Sequence, residues 1–314
     1  MSVQLEITPT IDDTAPELLP WRMGQATHCG QYHSQNEDRV CAIATPSGYF
    51  VAVADGVGGG VHGDVAAQQM IDHCRQLPFP SSANALKAHL IAGDAQVTAA
   101  LQALSNQKGA CGFAAAWLNT QGRGWLTWVG DVRIYLASVQ ASGVLITQLS
   151  MDQTFANLGE QPTTAKPHDP ARLVGFGKIG DPEVCSVVLQ PHQALLVMSD
   201  GVHRFLPHSV LVECAQPLHD PQTDLGQLAQ HWVNSALQQH SHDDCSIAII
   251  QHSPTVPPVP QISILATPTP QAPHPPAPIA LPSWRTRSIW SYIFVLVGLF
   301  VLGLCVGGYY GRYF

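Results

Sequence analysis

Acidic residues recur at the edges of apolar, β-favouring runs. Asp55 ends "VAVADG", Asp131 ends "TWVGD" and Asp200 ends "LLVMSDG", while Asp243 and Asp244 stand directly before "CSIAII". Glu37 and Asp38 sit in "NEDR", just ahead of "VCAIAT". Asp is disfavoured within strands and is rarely buried without a partner. One such residue is as readily a turn or a helix cap as a ligand, but the recurrence argues for a common purpose. Carboxylates gathered at one rim repel and raise each other's pKa unless a cation lies among them. A donor set made only of oxygen favours a hard divalent ion, Mg2+ or Mn2+, over zinc. The glycines behind Asp55 fit that chemistry. Gly56 has no side chain to keep its carbonyl from an ion held by Asp55. Gly58, Gly59 and Gly60 let the backbone fold tightly before a helix starting near Gly63 and Asp64. The spacing "GVGGG" does not match a phosphate-binding P-loop.

The elements that must position these residues are mostly strands. Strand-like runs fall at 40–45, 49–54, 112–118, 124–130, 133–139, 184–189, 194–199 and 246–250, and helical periodicity at 64–77, 83–106 and 223–239. The strands come as hairpin-like neighbours instead of alternating with helices, which predicts a layered α+β fold with antiparallel sheets.

The chain has 314 residues, enough for one domain of about 240 residues and extras, or for two small domains. Its net charge of −8 leaves no basic stripe to neutralise phosphates, which argues against nucleic acid as a partner. The eight cysteines form no C-x-x-C pair, and no secretory signal precedes them, so reduced thiols are expected. Residues 1–20 read as a tail and 21–251 as the domain. Residues 252–287 form a linker holding 11 of the 25 prolines, a composition in which neither helix nor sheet propagates. From Ser288 to Tyr310 no charge interrupts 23 residues, and aromatics flank both ends, which predicts a transmembrane helix before a tail at 311–314. Arg285 and Arg287 before the span keep the N-terminal bulk in the cytoplasm by the positive-inside rule. The expected location is therefore the inner (cytoplasmic) membrane, single-pass, with the domain facing the cytoplasm.

With these motifs in view, residues 22–251 resemble the PPM/PP2C family of metal-dependent protein serine/threonine phosphatases, in its bacterial form. "GQYHSQNED" (30–38) is similar to the family's G-x-V-R-x-x-N-E-D, and "DGVGGGVHGDVAA" (55–67) to D-G-M-G-G-H-x-x-G-E-x-A-S. "WVGDVRIYL" (128–136), "LSMDQTF" (149–155), "VMSDGV" (197–202) and "DDCSIAII" (243–250) follow in the family's order. The resemblance implies a four-layer α-β-β-α sandwich of two antiparallel sheets flanked by helices, with two or three Mn2+ or Mg2+ ions at one edge. It implies that Asp55 bridges two ions, that the Gly56 carbonyl binds one, and that Asp200 and Asp243 hold the second. Glu37 would act through a water, Asp38 would stand in the same shell, and Asp131 would join Asp200 at a third, weaker site. Asp243 aligns with the ligand and Asp244 takes a neighbouring Asn's place. Hydrolysis would need no protein nucleophile, since paired cations activate water and stabilise the in-line transition state. No cysteine has the C-x5-R setting of thiol phosphatases, and the G-D-x-H-G and G-N-H-E motifs of the other metal class are missing.

His33 occupies the place of the family's phosphate-binding Arg. Arg offers a fixed charge and a two-pronged fork, whereas His offers one donor and is mostly neutral at pH 7. The lost contact is worth about 1.5–3 kcal/mol unless Arg22 or Arg39 substitutes. "GAC" (109–111) stands where G-T-T is usual, Gly60 for a loop His and Val132 for a Ser. The resemblance thus implies hydrolysis of phosphoserine and phosphothreonine on proteins, opposing a Ser/Thr kinase. One alternative is a weakened pseudophosphatase serving as a binding module; another is a hydrolase of small phosphates. Residues 152–183, rich in Gly and Pro, are expected to include a mobile flap that decides the substrate.

Overall fold

The computed structural model describes residues 21–31, 33–57, 62–104, 109–177 and 179–252. The tail 1–20, nearly all of the linker 252–287, the expected transmembrane helix 288–310 and residues 311–314 lie outside them. No helix among the described residues is long and apolar enough to cross a membrane.

Two five-stranded antiparallel sheets make up the centre. One is ordered β2 (Arg39–Thr45), β3 (Gly48–Gly56), β4 (Cys111–Leu118), β5 (Arg123–Val129) and β8 (Glu183–Val188). The other is ordered β1 (Trp21–His28), β10 (Cys245–His252), β9 (Gln193–Met198), β6 (Arg133–Gln140) and β7 (Gly143–Gln148). Successive side chains of a strand point to opposite faces, so a strand buried on both sides must be apolar at every position. That is why these runs do not alternate with polar residues. In β3, Val51 and Val53 face the second sheet while Phe50, Ala52 and Ala54 face helices. In β9, Leu195 and Val197 point inward and Leu196 and Met198 outward.

Three cores result. The middle one lies between the sheets and contains Val51, Ala114, Leu126, Ile134, Val197 and Ile250. Helices α1 (Gly63–Arg75) and α2 (Ala83–Leu104) cover the outer face of the first sheet, burying Met70, Ile71, Leu86, Leu90 and Val97 on Phe50, Phe113 and Trp117. Helices α5 (His208–Ala215) and α6 (Leu225–Gln238) cover the second sheet, with Leu228, Trp232 and Val233 on Ile247 and Ile249. The order of layers is therefore α-β-β-α. Short helices α3 (Phe155–Leu158) and α4 (Asp200–His203) lie in the connections.

Two strands escape the sequence pattern. In β1, polar Arg22, Gln25 and Thr27 and the interrupting Gly24 dilute the apolar signal. Gly24 is required there because α6 lies against the strand: a Cβ would stand 2.1 Å from the backbone of Leu225. In β7 an edge position leaves three of six residues exposed. Helix α1 ends at Arg75, two residues before the expected end, and the expected end of α2 at 106 lies outside the described residues.

Candidate active site

Antiparallel neighbours run in opposite directions, so the ends of β3, β5 and β9 share one rim with the starts of β4, β6 and β10. Asp55 is the penultimate residue of β3 and pairs with Gly112 on β4. Asp131 follows β5 through Gly130, whose φ of +89° turns the chain. Asp200 follows β9 and opens α4, and Asp243 precedes β10. Asp55, Gly56, Asp131, Asp200 and Asp243 line one cleft of about 110 Å³, joined by Val57, Asp169 and Arg204. Residues scattered from 55 to 243 are thus brought to one place.

The glycines at this rim are set by backbone crowding. A Cβ on Gly201 would stand 2.0 Å from the Asp244 carbonyl oxygen, because the loop before β10 crosses α4 there. On Gly56 it would meet the Glu37 carbonyl at 2.6 Å and Gly63 at 2.7 Å. Gly56 therefore makes room for the Glu37 loop as well as leaving its own carbonyl clear.

The charges are costly in this arrangement. Burial pushes the Asp55 carboxyl well above its ordinary value, and Asp200, Asp38, Asp131 and Asp243 push it further. Burial and then Asp200 raise Asp131 to about 7, against the opposing effect of Arg204. Asp243 is raised by burial and by Asp200. Glu37 and Asp38 do not line the cleft but stand beside it. Asp38 is 2 % exposed and pushed well upward by its burial. Glu37 is raised by burial, with Asp244 adding and His33 opposing. Glu37 Oε2 and Asp38 Oδ2 are buried without a hydrogen-bond partner. A buried carboxylate oxygen left unpaired costs free energy that a cation would repay.

His33 lies among acids. Its Nδ1 is 3.2 Å from Asp244 Oδ1 and its Nε2 3.8 Å from Asp243 Oδ1. Burial disfavours its charged form, yet Asp244, Asp243 and Glu37 outweigh this and raise its pKa. Neither arginine considered as its replacement serves. Arg22 pairs with the far end of β10, opposite Gln251, and donates to Pro221 O, Thr223 O and Gln251 Oε1. Arg39 is engaged by Gln68 Oε1 and by the Asn36 and Asp38 carbonyls.

Four residues at or near the site have roles that the sequence does not show, although Asp244 itself stood out there beside Asp243. Asp244, 3 % exposed, accepts from Gly30 N at 2.7 Å and Glu37 N at 2.6 Å, tying the 30–37 loop to β10. His203, whose pKa burial lowers to about 4, is neutral and donates from Nε2 to the Asp131 carbonyl at 2.9 Å. Asp94 on α2 accepts from Gly175 N, Gly177 N and Ile179 N, anchoring the segment whose Leu173 lines the cleft. Arg204 reaches Asp131 Oδ2 with Nη2 at 2.5 Å and Asp200 Oδ2 with Nη1 at 2.9 Å. Only the last of these roles left a signal: Arg204 stands four residues after Asp200 in a helical turn, the spacing at which side chains meet.

The donor set fits a hard divalent ion, being all oxygen, over-charged and in part orphaned. Among the described residues no three His, Cys, Asp or Glu side chains close on one point as a finished cage. Arg204 lies between two of the carboxylates instead.

Comparison with known proteins places this geometry. Among solved structures the chain is similar to the Mycobacterium tuberculosis serine/threonine phosphatase PstP/Ppp, at 21% identity over 74% of this chain and 99% of that one, with a TM-score of 0.62. The PstP catalytic domain in complex with two manganese ions matches at 22% identity over the same shares, with a TM-score of 0.61. PppA of Pseudomonas aeruginosa matches at 22% over 74% and 97%, with a TM-score of 0.57. These likenesses establish the fold. No curated protein matches the chain in sequence. The family model "Protein phosphatase 2C" matches residues 27–238, more than half of the chain and every acidic residue of the rim up to Arg204. The chain belongs to the protein phosphatase 2C family.

Proposed function

We propose that this chain hydrolyses phosphoserine and phosphothreonine on proteins, using Mn2+ or Mg2+ held by Asp55, the Gly56 carbonyl, Asp200 and Asp243, with Glu37 and Asp38 beside them. The observation that carries the reading is the convergence of Asp55, Asp131, Asp200 and Asp243 on one small cleft, where the raised pKa values of Asp55, Asp131 and Asp243 mark a deficit of positive charge. When bound, the ions would supply that charge, activate water for attack on phosphorus and polarise the phosphoryl oxygens. The chain's residues do the rest. Asp244 fixes the loop that carries Glu37 and His33. His203 holds the Asp131 backbone. His33, whose pKa is raised by its acidic neighbours, stands against Asp243 and Asp244, where the family's phosphate-binding Arg would be expected. Asp169, Pro170 and Leu173 wall the cleft on the side where a phosphorylated segment would enter.

The same reading includes a membrane tether. Residues 252–287 would act as a spacer and 288–310 as a single span, keeping residues 21–251 at the cytoplasmic face of the inner membrane, where they would oppose a Ser/Thr kinase and its substrates. Phosphate release from a phosphothreonine peptide, measured with the full chain and Mn2+, tests the activity. Asp55→Asn and Asp200→Asn should each lower the rate about a hundredfold or more, some 3 kcal/mol of transition-state stabilisation. A rival reading, a binding module that keeps the fold without the chemistry, is favoured by His33 and by the guanidinium lying across Asp131 and Asp200. It predicts peptide binding without phosphate release.

A further inference from the structure

Arg204 brings a permanent positive charge into a site otherwise built of acids. Its guanidinium lines the cleft and forks across two carboxylates, Nη2 on Asp131 Oδ2 and Nη1 on Asp200 Oδ2. The fork is held from both sides. Asp200 and Arg204 share one helical turn, in which Arg204 N donates to Asp200 O at 3.0 Å. The Asp131 backbone is fixed by His203 Nε2–H and by the turn at Gly130. The two carboxyl groups are largely buried, at 7% and 14% side-chain exposure, while the Arg204 side chain reaches them from the cleft and stays 45% exposed. A charge-assisted hydrogen bond to Asp131 and an ion pair to Asp200 from one planar group make a specific arrangement.

Resting on the metal-dependent reading above, we propose that Arg204 is a built-in cation that takes the place of a divalent ion between Asp131 and Asp200. The centre then binds one ion fewer than its carboxylates could hold. Asp55, Gly56 and Asp243 stay free for exchangeable ions, and Asp200 keeps its second oxygen for them. The Asp131 side of the cleft carries a fixed positive charge whatever the metal supply. A guanidinium cannot activate water, so this side serves charge balance and orientation alone.

The test counts Mn2+ on the metal-stripped full chain by equilibrium dialysis and metal analysis. Arg204→Ala opens the place and should bind one more ion per chain than wild type, whereas Arg204→Lys keeps a cation and should bind the wild-type number. In the wild-type background Asp131→Asn should leave the number unchanged, since Asp131 already faces Arg204. This arm keeps the inference falsifiable if Arg204→Ala folds poorly, which circular dichroism reports. Equal numbers for wild type and a folded Arg204→Ala, or loss of one ion in Asp131→Asn, would overturn it. Failure of the wild type to bind Mn2+ would instead strike the metal-dependent reading, and this inference with it.

Discussion

Replacing Asp131 by Asn removes one negative charge from the most crowded part of the site while nearly preserving shape. In the folded chain the Asp131 carboxyl titrates at about 7, against 3.8 in an unfolded reference, because burial and Asp200 disfavour its charged form. A carboxyl with a raised folded-state pKa contributes stability that is fully present below the unfolded value. That contribution is lost as pH rises through the folded value, so the window here runs from about pH 4 to pH 7. Converting the shift gives a cost of about 4 kcal/mol at pH 8, and roughly 2 kcal/mol at pH 5, where the folded group is still protonated. Asp131→Asn escapes this cost. In urea denaturation followed by tryptophan fluorescence, with a chelator present, the variant should be more stable than wild type by about 4 kcal/mol at pH 8, the gap narrowing toward pH 5. Mn2+ should also narrow it, by answering the repulsion from Asp200. A variant no more stable than wild type at pH 8, or a gap that does not change with pH, would refute the electrostatic reasoning.

Other perturbations probe the scaffold around the site. Gly201→Ala drives a Cβ to 2.0 Å from the Asp244 carbonyl, so α4 or the loop before β10 must move. It should cost about 3 kcal/mol in chemical denaturation and abolish phosphate release, and a stable, active variant would contradict the packing argument. Asp94→Ala leaves three backbone N–H groups at 175, 177 and 179 without their acceptor. It should destabilise by about 3 kcal/mol and speed proteolysis between residues 170 and 180, and an unchanged cleavage rate would remove Asp94 from that role. His33→Arg should raise activity at pH 8, where a fixed charge is retained and an imidazolium is not, by roughly tenfold. No gain, or a loss, would show that His33 is not a weakened phosphate clamp.

How much of this was legible in the sequence differs from element to element. Strands buried on both faces announced themselves as unbroken apolar runs, as in β3, β4, β9 and β10. Asp55, Asp131, Asp200 and Asp243 stood out because each broke such a run at its edge. The edge strands β1 and β7 did not, because half-exposed strands carry polar residues and β1 gives up a side chain at Gly24 to let α6 approach. Asp94 and His203, and the anchoring role of Asp244, were invisible for another reason. Each acts through backbone groups far away in sequence, and one polar residue inside a helix or turn looks the same whether it faces water or a loop. Arg204 carried a local signal, its four-residue spacing from Asp200, but that spacing also describes an ordinary surface ion pair. The reason for Gly201 lies wholly in three dimensions, since only the folded chain shows Asp244 crossing above it.

Above all, the acidic rim should be a seat for divalent cations. Anomalous diffraction at the manganese edge, from crystals of the protein grown with Mn2+, tests this most directly. Anomalous density should appear within coordination distance of Asp55 and of Asp200 or Asp243, and should be missing beside the Arg204 guanidinium. A well-ordered cleft with no anomalous density at Asp55 would contradict the claim.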